Sequence, residues 1–340
     1  MNPANAAQSV EFHNTPGNEP APHGNGLLLA RYSRAAYGAF DSPGFLFAQE
    51  STGVEIRFVT PALHLRVFVS ALDQDTEVAV FRGDFQHSLH PVKQGEMRCI
   101  QVAPPAHFST VPVETLHGTF HPNVWRIVFN RGAMVFHGID TFGQPVRPPA
   151  PAEKPAFRWL AYGSSITHST RNGYVHQAAR RLRVDVQNKG LSGSCYIEPE
   201  AVRFLSSDCD WDLVTLEMGI NLRETTSPEE FDRRARHMVE QCLRAKPGRP
   251  IVLITVFPNS SDHLIAPDAA ARKQEAFREC LRRIAREHEG RNVHLVEGSS
   301  LLEDFTFFSA DLLHPSDYGQ VRMGENLARI LKPLVEAARK

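Results

Sequence analysis

Ser165 stands where an apolar run, Arg158-Trp159-Leu160-Ala161-Tyr162, breaks into Gly163-Ser164-Ser165 and then into polar, helix-forming residues. A serine at a strand-to-helix turn can present its hydroxyl at the carboxyl end of a sheet, and its own N–H can join an oxyanion hole. Gly-Ser-Ser is also ordinary turn composition, so the stretch does not carry the assignment alone. A second pattern, Asp311-Leu312-Leu313-His314-Pro315, lies close to the C-terminus. Its spacing lets the carboxylate meet one imidazole nitrogen while the other faces a serine, and Pro315 biases His314 towards an extended conformation. The competing reading is a helix-entry loop with Ser316 or Asp317 as cap. Taken together, the two patterns supply a nucleophile, a base and an orienter for that base, which attack on an acyl carbon requires.

Acyl transfer also needs donors aimed at the developing oxyanion. Gly190-Leu191-Ser192-Gly193-Ser194 and Gly219-Ile220-Asn221 each follow a further apolar run. Gly193 reads otherwise as a plain turn glycine, and Asn221 as a loop asparagine that bonds backbone groups. Their order at successive strand ends favours the shared site. A tight nucleophile elbow of the Gly-x-Ser-x-Gly type is not offered, because Thr167 stands two residues after Ser165.

The elements that must position these residues follow from periodicity. Strands are expected at Trp159–Tyr162, Val184–Gln187, Leu213–Met218, Ile251–Phe257 and Val293–Val296, with helices between them. Ser227-Pro228-Glu229-Glu230 is a capping box, another helix runs from about Pro267 to Glu289, and the last begins near Ser316. Arg180-Arg181-Leu182-Arg183 suits the solvated C-terminal end of a helix. Near-continuous apolar strands suit a sheet covered on both faces, so residues 157–340 read as a three-layer α/β/α sandwich with a mostly parallel sheet. Ligands then bind outside the carboxyl ends of its strands.

Residues 27–143 have a different period. Val54, Ile56 and Phe58 alternate with Glu55 and Arg57, and further short strands with turn residues between them predict an all-β sandwich or jelly roll. Trp125 falls on the apolar face of its strand and is expected in the core. Residues 144–156 are dense in proline and read as an extended linker, and residues 1–26 as a loose lead-in. A chain of 340 residues accommodates these two domains.

A formal net charge of −1 supplies no basic field for phosphates, which argues against nucleic acid as a partner. No run is long and apolar enough for a membrane span. The N-terminus lacks a basic-then-apolar signal segment, and the five cysteines are scattered, so a cytoplasmic protein with buried, reduced thiols is expected. His87 with His90, and His117 with His121, lack a third ligand, so no metal and no cofactor is expected.

The four segments resemble the blocks of the SGNH (GDSL) hydrolase family. Gly163-Ser164-Ser165-Ile166 matches the first, Asn188-Lys189-Gly190-Leu191-Ser192-Gly193 the second, Gly219-Ile220-Asn221 the third and Asp311-Leu312-Leu313-His314-Pro315 the last. The resemblance covers about residues 157–335. It implies Ser165 as nucleophile, His314 as general base with Asp311 behind it, and an oxyanion hole of the Ser165 and Gly193 amides and the Asn221 side chain. Ser164 and His168 are further candidates for substrate binding. Ser164 replaces the usual Asp of the first block, and Leu222 the Asp that commonly follows the third-block Asn. Tyr162-Gly163-Ser164-Ser165-Ile166-Thr167 together with Met218-Gly219-Ile220-Asn221 resembles a bacterial branch with a β-sandwich before the catalytic domain, which includes carbohydrate O-deacetylases and acyltransferases. The expected function is a serine esterase acting on a small-molecule acyl ester or thioester, such as an acetylated sugar or glycoside. An acyltransferase with the same first half-reaction is the alternative, and an inert carbohydrate-binding or scaffold protein the third reading.

Overall fold

A computed structural model describes residues 9–17 and 19–339. The chain forms two compact units, residues 9–34 with 48–156 and residues 35–47 with 157–339. The N-terminal part of the expected lead-in, residues 1–8, lies outside the described residues.

Among the described residues of the first unit, ten strands make two antiparallel sheets. They are β1 (Glu11–His13), β2 (Glu19–Pro20), β3 (Leu27–Leu28), β4 (Glu55–Val59), β5 (Leu65–Ala71), β6 (Thr76–Arg82), β7 (Phe85–Val92), β8 (Met97–Val102), β9 (Val124–Phe129) and β10 (Met134–Asp140). One sheet has the order β1-β4-β9-β6-β7 and the other β2-β3-β10-β5-β8. Successive side chains on a strand point to opposite faces, so Ile56, Phe58, Val80, Trp125 and Ile127 of one sheet share a core with Val67, Val69, Ile100 and Phe136 of the other. This is the expected sandwich. Two segments differ from their sequence reading. β1 and β2 pair within the sheets although they belong to the lead-in. The proline-rich segment is held to this unit, because Arg147 exchanges backbone bonds with Val59, and within the segment Arg147 pairs with Glu153 at 2.7 Å.

The second unit is built on five parallel strands, β11 (Arg158–Gly163), β12 (Asp185–Gly190), β13 (Leu213–Glu217), β14 (Ile251–Ile254) and β15 (Val293–Val296). Their order is β12-β11-β13-β14-β15. Trp159, Ala161, Val252 and Ile254 pack with Tyr174, Val175 and Ala178 of the Tyr174–Leu182 helix and with Met323, Leu327 and Leu331 of the Asp317–Ala338 helix. Helices Pro228–Ala245 and Ala269–Glu287 pack together through Phe231 and Phe277, whose rings stack 4.1 Å apart. The result is the three-layer sandwich read from the sequence. Ser227 caps the first of these two helices by accepting the Glu230 N–H, one half of the expected capping box, while the Glu230 carboxylate accepts from Arg233 and Arg234. Among the described residues, no helix is long and apolar enough to cross a membrane.

Because β11 lies between β12 and β13, the chain runs from β11 out to β12 and then crosses back past β11 to reach β13. In a parallel sheet such a reversal is where ligands bind, outside the carboxyl ends of the strands. Ser165, Gly193 and Asn221 follow β11, β12 and β13 in turn.

Trp125 is fully buried, with the Arg82 guanidinium 4.8 Å from its ring centroid. Trp125→Ala is expected to lower the stability of the first unit by about 3–5 kcal/mol, read as a reduced denaturation midpoint of that unit's transition.

Candidate active site

β11 carries the chain to Ser164, whose backbone is extended and whose hydroxyl accepts the Ile166 N–H at 3.3 Å. Ser164 thus caps the four-residue helix Ser165–His168, and Ser165 takes the first helical position. It is Ser165, not Ser164, whose hydroxyl reaches His314, with Oγ 2.7 Å from Nε2. His314 Nδ1 lies 2.7 Å from Asp311 Oδ2. Asp311 accepts, so it fixes the proton on Nδ1 and leaves Nε2 to accept from the serine.

The loop bearing His314 is closed from several sides. Asp311 Oδ1 accepts the N–H groups of Leu313 and His314, each at 2.9 Å, and the Ser309 hydroxyl at 2.8 Å. Leu312 turns the chain back with a φ of 54°. Ser309 N–H donates to the His314 carbonyl at 2.8 Å, and Phe308 bridges to Pro315. Ser316 then caps the final helix by accepting the Gly319 N–H. The helix-entry loop of the sequence reading is thus present, and the same loop carries Asp311 and the His314 imidazole that faces Ser165. Burial acts to raise the Asp311 carboxyl, but the bonds from His314, Leu313 and Ser309 outweigh it and hold it well below the usual carboxylate range.

Gly193 is exposed and has a φ of 66°, a backbone conformation that glycine adopts without strain. Asn221 Oδ1 accepts the Cys195 N–H at 3.2 Å. That bond ties the Gly193 loop to the Asn221 loop, and it leaves the Asn221 amide NH₂ to donate elsewhere. Leu222, standing where an Asp is common, is buried.

The two further candidates are placed differently from a substrate-facing pair. Ser164 and His168 are both fully buried, so neither presents surface to a substrate in this structure. His168 Nδ1 lies 2.8 Å from the Ser192 hydroxyl, and its ring meets that of Phe47 edge-on at 6.1 Å. Both residues brace the turn from behind. The Ser88 hydroxyl lies between His87 and His90, the His117 and His121 rings meet edge-on at 5.4 Å, and no group of three possible ligands occurs among the described residues.

Three features of this unit escape the sequence reading. Residues 35–47 belong here, although their sequence position put them in the β-sandwich. Glu217, the last residue of β13, is 1% exposed and accepts the Ser164 N–H at 2.6 Å. The signal for it was present, as one acidic residue ending an apolar parallel strand. Glu198, beyond the Gly193 loop, has both carboxyl oxygens buried without a hydrogen-bond partner. Burial pushes its carboxyl up to about 7, with Asp41 and Glu200 adding to the rise and Arg234 opposing it.

For an acid raised in the folded state, the unfolded chain releases its proton first. Stability must then fall as pH climbs from the ordinary carboxyl value to about 7, and level off above. Glu198→Gln removes this ionisation. Relative to that variant, the parent chain is expected to lose on the order of 1–3 kcal/mol between pH 4 and pH 8, measured by denaturant unfolding across the range. A difference that stays constant with pH would contradict the assignment.

The unit resembles known proteins in sequence and in fold. Residues 157–332 match the GDSL-like lipase/acylhydrolase family. No curated protein matches the chain by sequence. Among solved structures, a salicylyl-acyltransferase from a tetracycline biosynthetic pathway superposes with a TM-score of 0.76 at 18% identity, over 96% of this chain and 95% of that one. A protein from Bacteroides ovatus named for its likeness to GDSL lipases gives 0.70 at 16%, over 97% of both chains. A family two carbohydrate esterase from Clostridium thermocellum, in complex with cellohexaose, gives 0.63 at 15%, over 96% and 99%. At these identities the structures share the two-part fold. The sequence match spans more than half of the chain, and with it the chain belongs to the GDSL-like lipase/acylhydrolase family of esterases and acyltransferases.

Proposed function

We propose that the chain is a serine esterase that cleaves a small acyl ester through a covalent acyl-enzyme. The observation that carries this is the unbroken line from Ser165 Oγ through His314 to Asp311, with both links at 2.7 Å. His314 Nε2 takes the hydroxyl proton as Ser165 Oγ attacks the carbonyl carbon, and Asp311 stabilises the imidazolium that forms. The Ser165 and Gly193 amides and the Asn221 NH₂ receive the oxyanion. His314 returns its proton to the departing alcohol, leaving the acyl group on Ser165. Water repeats the sequence, with His314 again as base, and releases the acid.

Carbohydrate esterases of the same fold support an acetylated sugar or glycoside as the substrate class. The acyl-enzyme is also the branch point for transfer to a second hydroxyl, as in an acyltransferase. An acceptor competes with abundant water only if it is bound in line with the ester. Incubation with an activated acetyl ester and glycoside acceptors at millimolar concentration, followed by quantitation of free acid and acylated product, decides between them. Free acid should dominate; a majority of acylated glycoside would replace hydrolysis by transfer.

Ser165→Ala should abolish turnover and labelling by a fluorophosphonate, whereas Ser164→Ala should keep much of both. Labelling that survives Ser165→Ala would remove Ser165 from the nucleophile's role. Asn221→Ala is expected to lower kcat by about 10²–10³-fold with little change in KM, because an oxyanion donor acts on charge that appears in the transition state. A raised KM at unchanged kcat would make Asn221 a substrate-binding residue instead.

A further inference from the structure

β13 ends in a carboxyl group that the proposed mechanism does not use. Four of its five residues are neutral and all five are buried, yet Glu217 stands among them with 1% exposure. Its Oε2 accepts the Ser164 N–H at 2.6 Å and the Thr167 hydroxyl at 3.1 Å. Thr167 Oγ1 is in turn 2.8 Å from the Tyr174 hydroxyl, at the start of the next helix. One oxygen therefore holds the residue before Ser165 and the residue two after it. The other, Oε1, is buried with no hydrogen-bond partner. Burial raises the carboxyl above its ordinary value, against the bonds from Ser164 and Thr167.

A carboxyl group placed here costs stability, since half of its bonding capacity is unused and it is shut off from water. The fold nevertheless clears room for it. Gly163 does not have a left-handed φ, so its backbone would tolerate a side chain. A Cβ there would collide with Thr167 Oγ1 and lie 2.5 Å from Glu217 Oε2. The glycine ahead of the two serines is thus required by the carboxyl group and threonine packed beneath it, as a matter of space.

We infer that Glu217 is a positioning residue, whose buried carboxyl fixes the Ser164–Thr167 turn from below so that the Ser165 hydroxyl meets His314. This rests on Ser165 being the nucleophile. A displacement of the turn by about 1 Å is enough to cost about 10²-fold in rate, while substrate binding is little affected.

The test separates geometry from stability by measuring two quantities on the full chain with a fluorophosphonate probe: the amplitude of labelling, which counts folded sites, and the rate per site. Glu217→Ala is expected to keep full amplitude and to lower both the labelling rate and kcat for p-nitrophenyl acetate by about 10–10²-fold, with KM unchanged. Glu217→Gln, whose carbonyl oxygen can accept both bonds, should restore most of the rate. Thr167→Val removes one of the two bonds in a side chain of the same shape, and it serves if the alanine variant does not fold; its rate should fall less, at full amplitude. Reduced amplitude with an unchanged rate per site would make Glu217 merely structural and overturn the inference. A glutamine variant as slow as the alanine variant would assign the effect to charge, and would overturn it too. Labelling that persists in Ser165→Ala would instead defeat the nucleophile assignment, whatever the Glu217 variants do.

Discussion

A serine hydroxyl attacks a carbonyl carbon at useful rates only when a base is already within hydrogen-bond reach. Here that condition joins two residues 149 positions apart in the chain. The parallel sheet is what satisfies it. Every strand ends at the same edge, so Ser165, the Gly193 loop and Asn221 arrive together although helices separate them in sequence. The His314 loop then needs a stiffness of its own, which it obtains from the Asp311 carboxylate binding two of its amides and from the bridge between Phe308 and Pro315. Asp311 therefore has two tasks. One oxygen orients the imidazole and the other shapes the loop that carries it.

The candidate site was legible because it is written in short, local patterns. Ser165 after an apolar strand, Asp311 and His314 three residues apart, and the glycine-bearing strand ends were all visible, as were the two periods that divide sandwich from α/β sheet. Strand ends were read less well where polar residues stay in the ladder. β12 continues through Asn188 and Lys189 to Gly190 because these pair with Ala161, Tyr162 and Gly163. Lys189 is 2% exposed with its ammonium group 5.5 Å from the Phe204 ring centroid, a burial that composition does not announce. β7 has a weak signal for the opposite reason. It pairs with β6 alone at a sheet edge, carries His87, His90 and Pro91, and is largely open to solvent, so it lacks an alternating apolar face. Glu217 could be noticed as an acidic residue ending an apolar strand, but its contact with the Ser164 amide could not be read, because a strand pattern records burial without naming neighbours.

Residues 35–47 have a consequence for how the molecule is made. They emerge from the ribosome early, ahead of most of the sandwich, yet the unit they join begins at residue 157 and is complete only near the C-terminus. The sandwich strands on either side of them can pair as soon as they are synthesised. This segment cannot; Phe47 has no His168 ring to meet until β11 and the turn beyond it exist. Its helices, Arg34–Tyr37 and part of Ser42–Gln49, are too short to be stable in isolation. During synthesis it is therefore an unpartnered apolar stretch that carries Phe40, Phe45, Leu46 and Phe47, closed at both ends by a domain able to fold before it. Docking it is a long loop closure that comes late. A catalytic unit cut out at the proline-rich boundary would never receive it at all.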